Sequence, residues 1–240
     1  MGLFSFIRKS SAAAGSSTAQ PATPQSPTTP SPTDPYRDSS ANLIYNLLFC
    51  DDLNLYKAKT KAPFTYPFDI LFSENSAVSD LQKIVADSDS DPRVKVLAYN
   101  RLLAGGHKPE KKELLAVIVE VGLDGGLDVL ASFEDGTARY INQTGKILIW
   151  ETTDKPSKEL TDKLFSEGRQ VIDQIGPWDK PRRPCPGKGA VRVTFLVSDG
   201  LYFGEGPMNI LFRDPLAAPA LNTAAELMKY ITEKALEKNK

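Results

Sequence analysis

Four short apolar segments, separated by glycine-containing turns, fill the stretch Leu114–Glu151. The turn signals fall at Gly122–Gly126, Glu134–Gly136 and Asn142–Gly145. Glycine suits a tight hairpin where φ becomes positive, and Asp-Gly is among the strongest two-residue hairpin signals. The pattern predicts four strands in an antiparallel meander. It identifies a folded scaffold and offers almost no residues typical of chemistry.

Later segments extend the predicted sheet. Apolar and polar residues alternate along Val191–Val197, which predicts a fifth strand that turns into Leu201–Phe203. Met208–Phe212 is a candidate sixth strand. The sequence therefore predicts an antiparallel sheet of five or six strands, a meander plus a hairpin, within residues 113–213.

Helical patterns flank these strands. Apolar residues recur at helical spacing over residues 157–176 and 222–238, and the second of these opens on a capping box at Thr223. We expect both long helices to pack on the sheet. Shorter helix signals over residues 42–106 predict a small N-terminal helical layer. The predicted fold class is α+β.

The first forty residues differ in composition from the rest. Ser, Thr, Ala and Pro dominate residues 10–40, which have too little apolar surface to offset the entropy of ordering them. We interpret them as a disordered linker behind a short apolar and basic segment, residues 1–9. Residues 41–240 are predicted to form a single α+β domain, with a helical subdomain over 41–110 and the sheet with its two helices over 111–240.

Charge and cysteine content narrow the class of protein. The chain has 29 basic and 30 acidic residues, and this balance argues against a nucleic-acid-binding protein. Its 2 cysteines and 1 histidine cannot supply a disulfide framework or most histidine-based metal sites. No segment is long and apolar enough to predict a membrane span or a secretory signal. We predict a cytoplasmic protein without metal or cofactor.

The densest basic stretch is a predicted loop between a helix and a strand. It contains Arg182, Arg183 and Lys188 around Cys185. These cations favour either a solvated connection or a site for an anionic ligand or acidic partner. The sequence Gly187-Lys188-Gly189 lacks the spacing of a phosphate-binding loop.

A glycine-rich stretch forms a second candidate site. Gly204-Glu205-Gly206 follows the aromatic residues Tyr202 and Phe203. Closely spaced glycines allow a backbone to bend sharply or to approach a ligand. The stretch is interpreted as a bulged hairpin with both aromatic residues in the core, or as a recognition loop that includes Glu205.

The N-terminal segment is a candidate tether. It is formed by four apolar residues and the two cations that follow them: Leu3, Phe4, Phe6, Ile7, Arg8 and Lys9. An apolar patch beside cations suits either an anionic membrane surface or a groove on a partner protein, as a weak contact. Peripheral membrane contact is therefore an alternative to a purely cytoplasmic location.

No pattern predicts catalytic residues. Cys50 is followed by two carboxylates, which disfavour a thiolate, and His107 has neither a nucleophile nor an orienting carboxylate nearby in sequence. The favoured function is a non-catalytic protein-interaction module on a flexible N-terminal tether, with an unidentified protein partner. The alternative is a small enzyme or anionic-ligand-binding protein that uses the basic loop 180–188, with Asp199 or Glu205 opposite.

Part of the sequence resembles a known family. The string Val119–Ala131, together with Tyr140–Asn142 and Ile149–Glu151, is similar to an uncharacterised bacterial protein family. The resemblance extends from about residue 42 to the C-terminus. It implies a bacterial and cytosolic origin. No known activity is attached to that family, so the resemblance implies no functional residues.

Overall fold

Six strands form one antiparallel sheet in the computed structural model, which describes residues 34–238. The strands are β1 (Leu114–Leu123), β2 (Gly126–Phe133), β3 (Ala138–Ile141), β4 (Ile147–Trp150), β5 (Ala190–Val197) and β6 (Gly200–Pro207). Their order across the sheet is β4-β3-β2-β1-β5-β6. The predicted meander and the added hairpin are both confirmed.

The turns of the meander are where the sequence signals place them. Gly125 and Gly145 have φ values of +108° and +84°, a region that side chains with a Cβ rarely adopt. Across the turn at Gly125, β1 pairs with β2 in a register that sets Glu120 opposite Val129. The hairpins therefore follow from local backbone preferences combined with alternating burial.

Two long helices cover one face of the sheet. They are α6 (Lys155–Ile172) and α8 (Ala218–Lys238), and they pack on a core that includes Val193 and Phe195. Gly168 allows α6 to approach closely, because a Cβ there would lie 3.0 Å from Leu114 and 3.1 Å from Phe195. The predicted packing of two long helices on the sheet is confirmed.

The other face carries the N-terminal helices. These are α1 (Ser39–Leu47), α2 (Leu53–Lys59), α3 (Phe68–Leu71), α4 (Val78–Ala86) and α5 (Pro92–Ala104). Asp91 caps α5 with Pro92 in its first turn, one of the short helix signals expected within residues 42–106. The core on this side includes Tyr45, Ile118 and Leu196. The sheet thus lies between two helical layers, and the α+β class is confirmed.

Two predictions near the C-terminus were wrong. Met208–Leu211 is a short helix, α7, and the sixth strand is instead Gly200–Pro207. Pro207 ends the strand because it lacks an N–H for the ladder. The last helix begins at Ala218, four residues before the predicted 222, and Thr223 is buried inside it rather than capping it.

Residues 34–40, the last part of the predicted linker, belong to the described chain. Tyr36 is buried and donates a hydrogen bond from its hydroxyl to the carbonyl of Leu127 at 2.8 Å, and α1 begins at Ser39. The boundary predicted at residue 41 is therefore too late, because a single tyrosine in a polar stretch packs into the core. The predictions on residues 1–9, including the tether residues, and on residues 10–33 lie outside the described chain. No helix within residues 34–238 combines the length and apolar character needed to cross a membrane.

Candidate functional site

A row of three charged residues crosses the middle of the sheet. Glu120 of β1 lies opposite Arg192 of β5, and Arg192 lies opposite Glu205 of β6. All three project from the face that also carries the N-terminal helices. Glu120 and Arg192 are buried, and Glu205 is partly buried.

Glu120 is the only acidic residue in its apolar strand and is fully buried. Its Oε1 accepts a hydrogen bond from the hydroxyl of Tyr45 in α1 at 2.7 Å. Its Oε2 lies 3.6 Å from Nη1 of Arg192 and accepts no hydrogen bond from the described residues. Burial raises the pKa of Glu120, and the nearby Arg192 and Tyr45 partly oppose that shift.

Arg192 connects the sheet to the basic loop. Its Nε donates a hydrogen bond to Oε2 of Glu205 at 2.9 Å. Its two terminal nitrogens donate to the backbone carbonyls of Arg183 and Pro184. Arg192 therefore attaches the backbone of the basic loop to the sheet, because its guanidinium donates to two loop carbonyls as well as to the Glu205 carboxylate.

Arg182 does not behave as a residue of a solvated loop. Its side chain is only 16% exposed, and its Nε donates to Oδ2 of Asp51 at 2.7 Å. Its guanidinium carbon lies 4.0 Å from the centre of the Phe49 ring. Arg182 therefore fastens the loop to the end of α1 by an ion pair and a cation–π contact. Of the two interpretations of the loop, a solvated connection or an anion or partner site, the solvated connection does not describe Arg182, whose side chain is mostly covered.

Arg183 and Lys188 remain at the surface. Nη1 of Arg183, with 49% of the side chain exposed, lies 3.4 Å from Oε2 of Glu205. Lys188 forms an exposed ion pair with Asp124 in the turn between β1 and β2. The structure thus brings Arg183 near Glu205, pairs Arg182 with Asp51 and pairs Lys188 with Asp124.

The two aromatic candidates project from opposite faces of β6. Tyr202 is buried against the layer of α6 and α8, and its hydroxyl donates to Asp199 at 2.8 Å. Phe203 is on the other face, where its ring meets that of Trp178 at 5.1 Å. They therefore cannot serve a single recognition surface, since strand residues alternate between faces.

The space among the loop residues is very small. A cavity of about 10 Å³ is lined by both sheet and loop residues: Trp178, Arg182, Arg183, Arg192, Thr194, Leu201 and Phe203. That volume holds about one water molecule. The cations around it are already paired with carboxylates or loop carbonyls, so the arrangement suits structural support better than ligand binding.

The described residues offer little reactive chemistry. Burial raises the pKa of the Cys50 thiol to about 12, and burial also raises the pKa of the half-buried Cys185. Within residues 34–238 no three His, Cys, Asp or Glu side chains are grouped to hold a metal ion.

The edge of the sheet formed by β4 exposes apolar side chains rather than charges. Leu148 and Trp150 pack toward α6 and α8, whereas Ile147 and Ile149 project from the opposite face and are 38% and 58% exposed. Sequence reasoning recognised the strand but missed this exposure. The alternation Ile-Leu-Ile-Trp was visible, but which strand forms the edge is decided by the assembled sheet.

Among residues 34–238, no strand pairs with the outer side of Ile147 and Ile149 in β4. The N–H of Asn142 donates to the carbonyl of Lys146 at 3.0 Å, so 142 and 146 form a hydrogen-bonded pair. Bonded and non-bonded pairs alternate in an antiparallel ladder. The backbone groups of Ile147 and Ile149 therefore point away from β3, toward the free edge.

The opposite edge of the sheet is covered in part. The N–H of Trp178 donates to the carbonyl of Leu201 in β6 at 2.7 Å. Near the other end of β6, an open depression of about 540 Å³ is lined by α7 and adjoining residues: Gly189, Met208, Asn209, Phe212 and Arg213. Ile210 of α7, which follows β6 at this edge of the sheet, is 52% exposed.

Comparison of the chain with models of protein families finds no match, and comparison with curated proteins finds none either. The resemblance to a bacterial family therefore stays a prediction from the sequence.

Proposed function

We propose that this protein is a non-catalytic protein-interaction module whose β4 edge, at Ile147 and Ile149, pairs with an extended apolar segment of a partner protein. The observation that carries the proposal is the coincidence of two features in one strand. Ile147 and Ile149 expose apolar side chains, and their backbone groups face the open edge. Pairing along a sheet edge uses both, since main-chain hydrogen bonds give affinity and side chains give specificity.

Exposed apolar edges are uncommon in soluble proteins because they invite pairing with other chains. Edge strands are usually protected by charge, proline, bulges or a covering segment. β4 contains no charged residue and no proline between Ile147 and Trp150. The partner segment should therefore be a short strand of alternating apolar residues without proline, four or five residues long to match β4.

The basic loop supports the proposal indirectly. Arg182 and Arg192 pair within the molecule, and the cavity beside them holds about 10 Å³. An anionic ligand larger than water would have to displace these contacts. Under the enzyme or anion-binding alternative, the half-exposed Arg183 would be the residue close to Glu205 that contacts the ligand. A bacterial, cytoplasmic setting is part of the proposal and derives from the sequence resemblance and composition.

A peptide selection tests the proposed function. The full chain is used to select binders from a phage-displayed library of random nonapeptides, in parallel with the variants I149K and I210K. We expect enrichment of peptides with alternating apolar residues and no proline. Lysine at 149 should abolish this enrichment because a charge on an edge strand opposes pairing.

The I210K variant is the matched control. It makes the same substitution at a similarly exposed isoleucine in α7, away from β4. Retention of binding by I210K and loss by I149K would support the β4 edge. No enrichment, or equal enrichment on the wild type and I149K, would overturn the proposal. Loss on I210K alone would assign binding to α7 instead.

A further inference from the structure

The outer side of β6 carries backbone groups that face away from the sheet. Among residues 34–238 this side pairs only at Leu201, whose carbonyl accepts the N–H of Trp178 at 2.7 Å. Bonded positions alternate along an antiparallel ladder, so the backbone groups of Phe203 and Glu205 point outward as those of Leu201 do. Within the described chain, two successive positions on this edge therefore offer hydrogen bonds to an added strand.

The depression near α7 lies just past the end of β6. It has a volume of about 540 Å³, and its surface comes mainly from apolar atoms, with Met208 and Phe212 among the lining residues. We call it the α7 depression. Met208 is three residues beyond Glu205, a distance of about 10 Å in an extended chain. A segment that pairs with Phe203 and Glu205 can therefore place a side chain in the α7 depression.

Arg213 provides a positive charge at the rim of the α7 depression. It is exposed, and it forms no ion pair with another residue in the part of the chain that the structure describes. The adjacent carboxylate of Asp214 accepts two backbone N–H groups ahead of α8, those of Leu216 and Ala217. A partner carboxylate can therefore pair with Arg213 without displacing an existing ion pair.

We propose that the outer side of β6 and the α7 depression together bind an extended acidic segment of a second partner protein. Backbone pairing at Phe203 and Glu205 aligns the segment. Its apolar side chain contacts Met208 and Phe212, and its carboxylate pairs with Arg213. This site is additional to the one at β4, a strand without charged residues. Because β4 and β6 are the two outermost strands, the module holds two different segments at opposite edges of one sheet.

An NMR titration of the isotope-labelled full chain tests this second site. The probe is a synthetic nonapeptide of alternating threonine and valine that ends in leucine and two glutamates. We expect the largest amide shifts at Phe203–Glu205 and Met208–Arg213. Arg213→Glu should weaken binding about tenfold, because it replaces an attraction with a repulsion. The matched control Arg169→Glu makes the same change at an exposed arginine of α6 and should leave the affinity unchanged.

A second peptide, with glutamine in place of both glutamates, isolates the charge contact. It should bind the wild type about threefold more weakly, as expected for the loss of an exposed ion pair. Arg213→Glu should change its affinity little. Equal loss of affinity for both peptides in Arg213→Glu would mean that this arginine acts by supporting α7 rather than by pairing with a carboxylate, and would overturn the inference.

Two further outcomes would overturn the second site. One is a lack of binding of the acidic peptide up to millimolar concentration. The other is that decanoate and the peptide both shift only Met208–Arg213, because that would assign the α7 depression to a small amphiphilic acid.

The variant I149K separates this site from the proposed function. Acidic peptide that binds the wild type but not I149K would lie on β4, and this result refutes only the second site. Unchanged binding of the acidic peptide to I149K, without any apolar peptide selected on the wild type, refutes only the partner segment at β4.

Discussion

Oε2 of Glu120 lies 3.6 Å from Nη1 of Arg192, across the central strand pair of the sheet, with both side chains buried. The same guanidinium donates hydrogen bonds to the carbonyls of Arg183 and Pro184. The basic loop is thus attached to the sheet through its backbone. A stretch that resembles an anion site in sequence is, in the folded protein, partly a structural support.

Replacing Glu120 with glutamine should change how stability depends on pH. The pKa of Glu120 is raised by burial, so between the unfolded value of about 4.3 and the higher folded value the folded state binds more protons than the unfolded state. The free energy of unfolding of the wild type should therefore fall, relative to E120Q, as pH rises through this window. Urea unfolding from pH 5 to pH 8 measures the difference.

The exposed Glu159 of α6 provides the control. E159Q also removes one carboxylate, and it should stay within about 0.5 kcal/mol of the wild type, as expected at an exposed surface position. A difference between the wild type and E120Q that is constant with pH, or that grows in favour of the wild type as pH rises, would show that Arg192 and Tyr45 outweigh burial.

Arg182 and Arg183 should differ in their effect on stability, although they are neighbours in sequence. Arg182→Ala removes a partly exposed ion pair with Asp51 and the cation–π contact with Phe49, and should cost about 1–2 kcal/mol. Arg183→Ala removes a half-exposed pair worth less than about 1 kcal/mol. Chemical denaturation of both variants measures the contrast, and equal losses would contradict the structural role of Arg182.

The two cysteines should react at different rates with iodoacetamide. Cys50 is buried with its pKa raised to about 12, so almost no thiolate is present at pH 8. Cys185 is half-buried and should be modified first in the native protein. Peptide mass spectrometry measures each site, with urea-unfolded protein as the reference in which both react. Faster modification of Cys50 would mean that its helix end opens readily.

Local signals predicted much of the fold. Turn glycines such as Gly125 and Gly145 favour a hairpin through their own backbone conformation. The meander could therefore be predicted from them. The ends of helices were predicted less accurately. Thr223 has the spacing of a capping box, yet it lies inside α8 because the preceding Ala220 and Leu221 pack in the core. An upstream local signal was also missed, since Oδ1 of Asp214 accepts hydrogen bonds from the N–H groups of Leu216 and Ala217, just before α8.

The site was harder to predict because it depends on register and strand order. Glu120 was visible as the one charge in an apolar strand, but its pairing with Arg192 requires the alignment of β1 and β5. The exposure of Ile149 likewise requires that β4 be the last strand of the sheet. Both are relationships between distant segments, which hydrophobic periodicity along one segment does not encode.

A titration of isotope-labelled full chain with a selected peptide, followed through backbone amide shifts, tests the β4 docking surface most directly. We predict that the largest shifts fall at Ile147–Glu151, that I149K shows none of them, and that I210K shows them at the same peptide concentration. Largest shifts in the loop Arg182–Lys188 or at Phe203–Glu205, with I149K binding as well as the wild type, would contradict the proposed interaction module at β4.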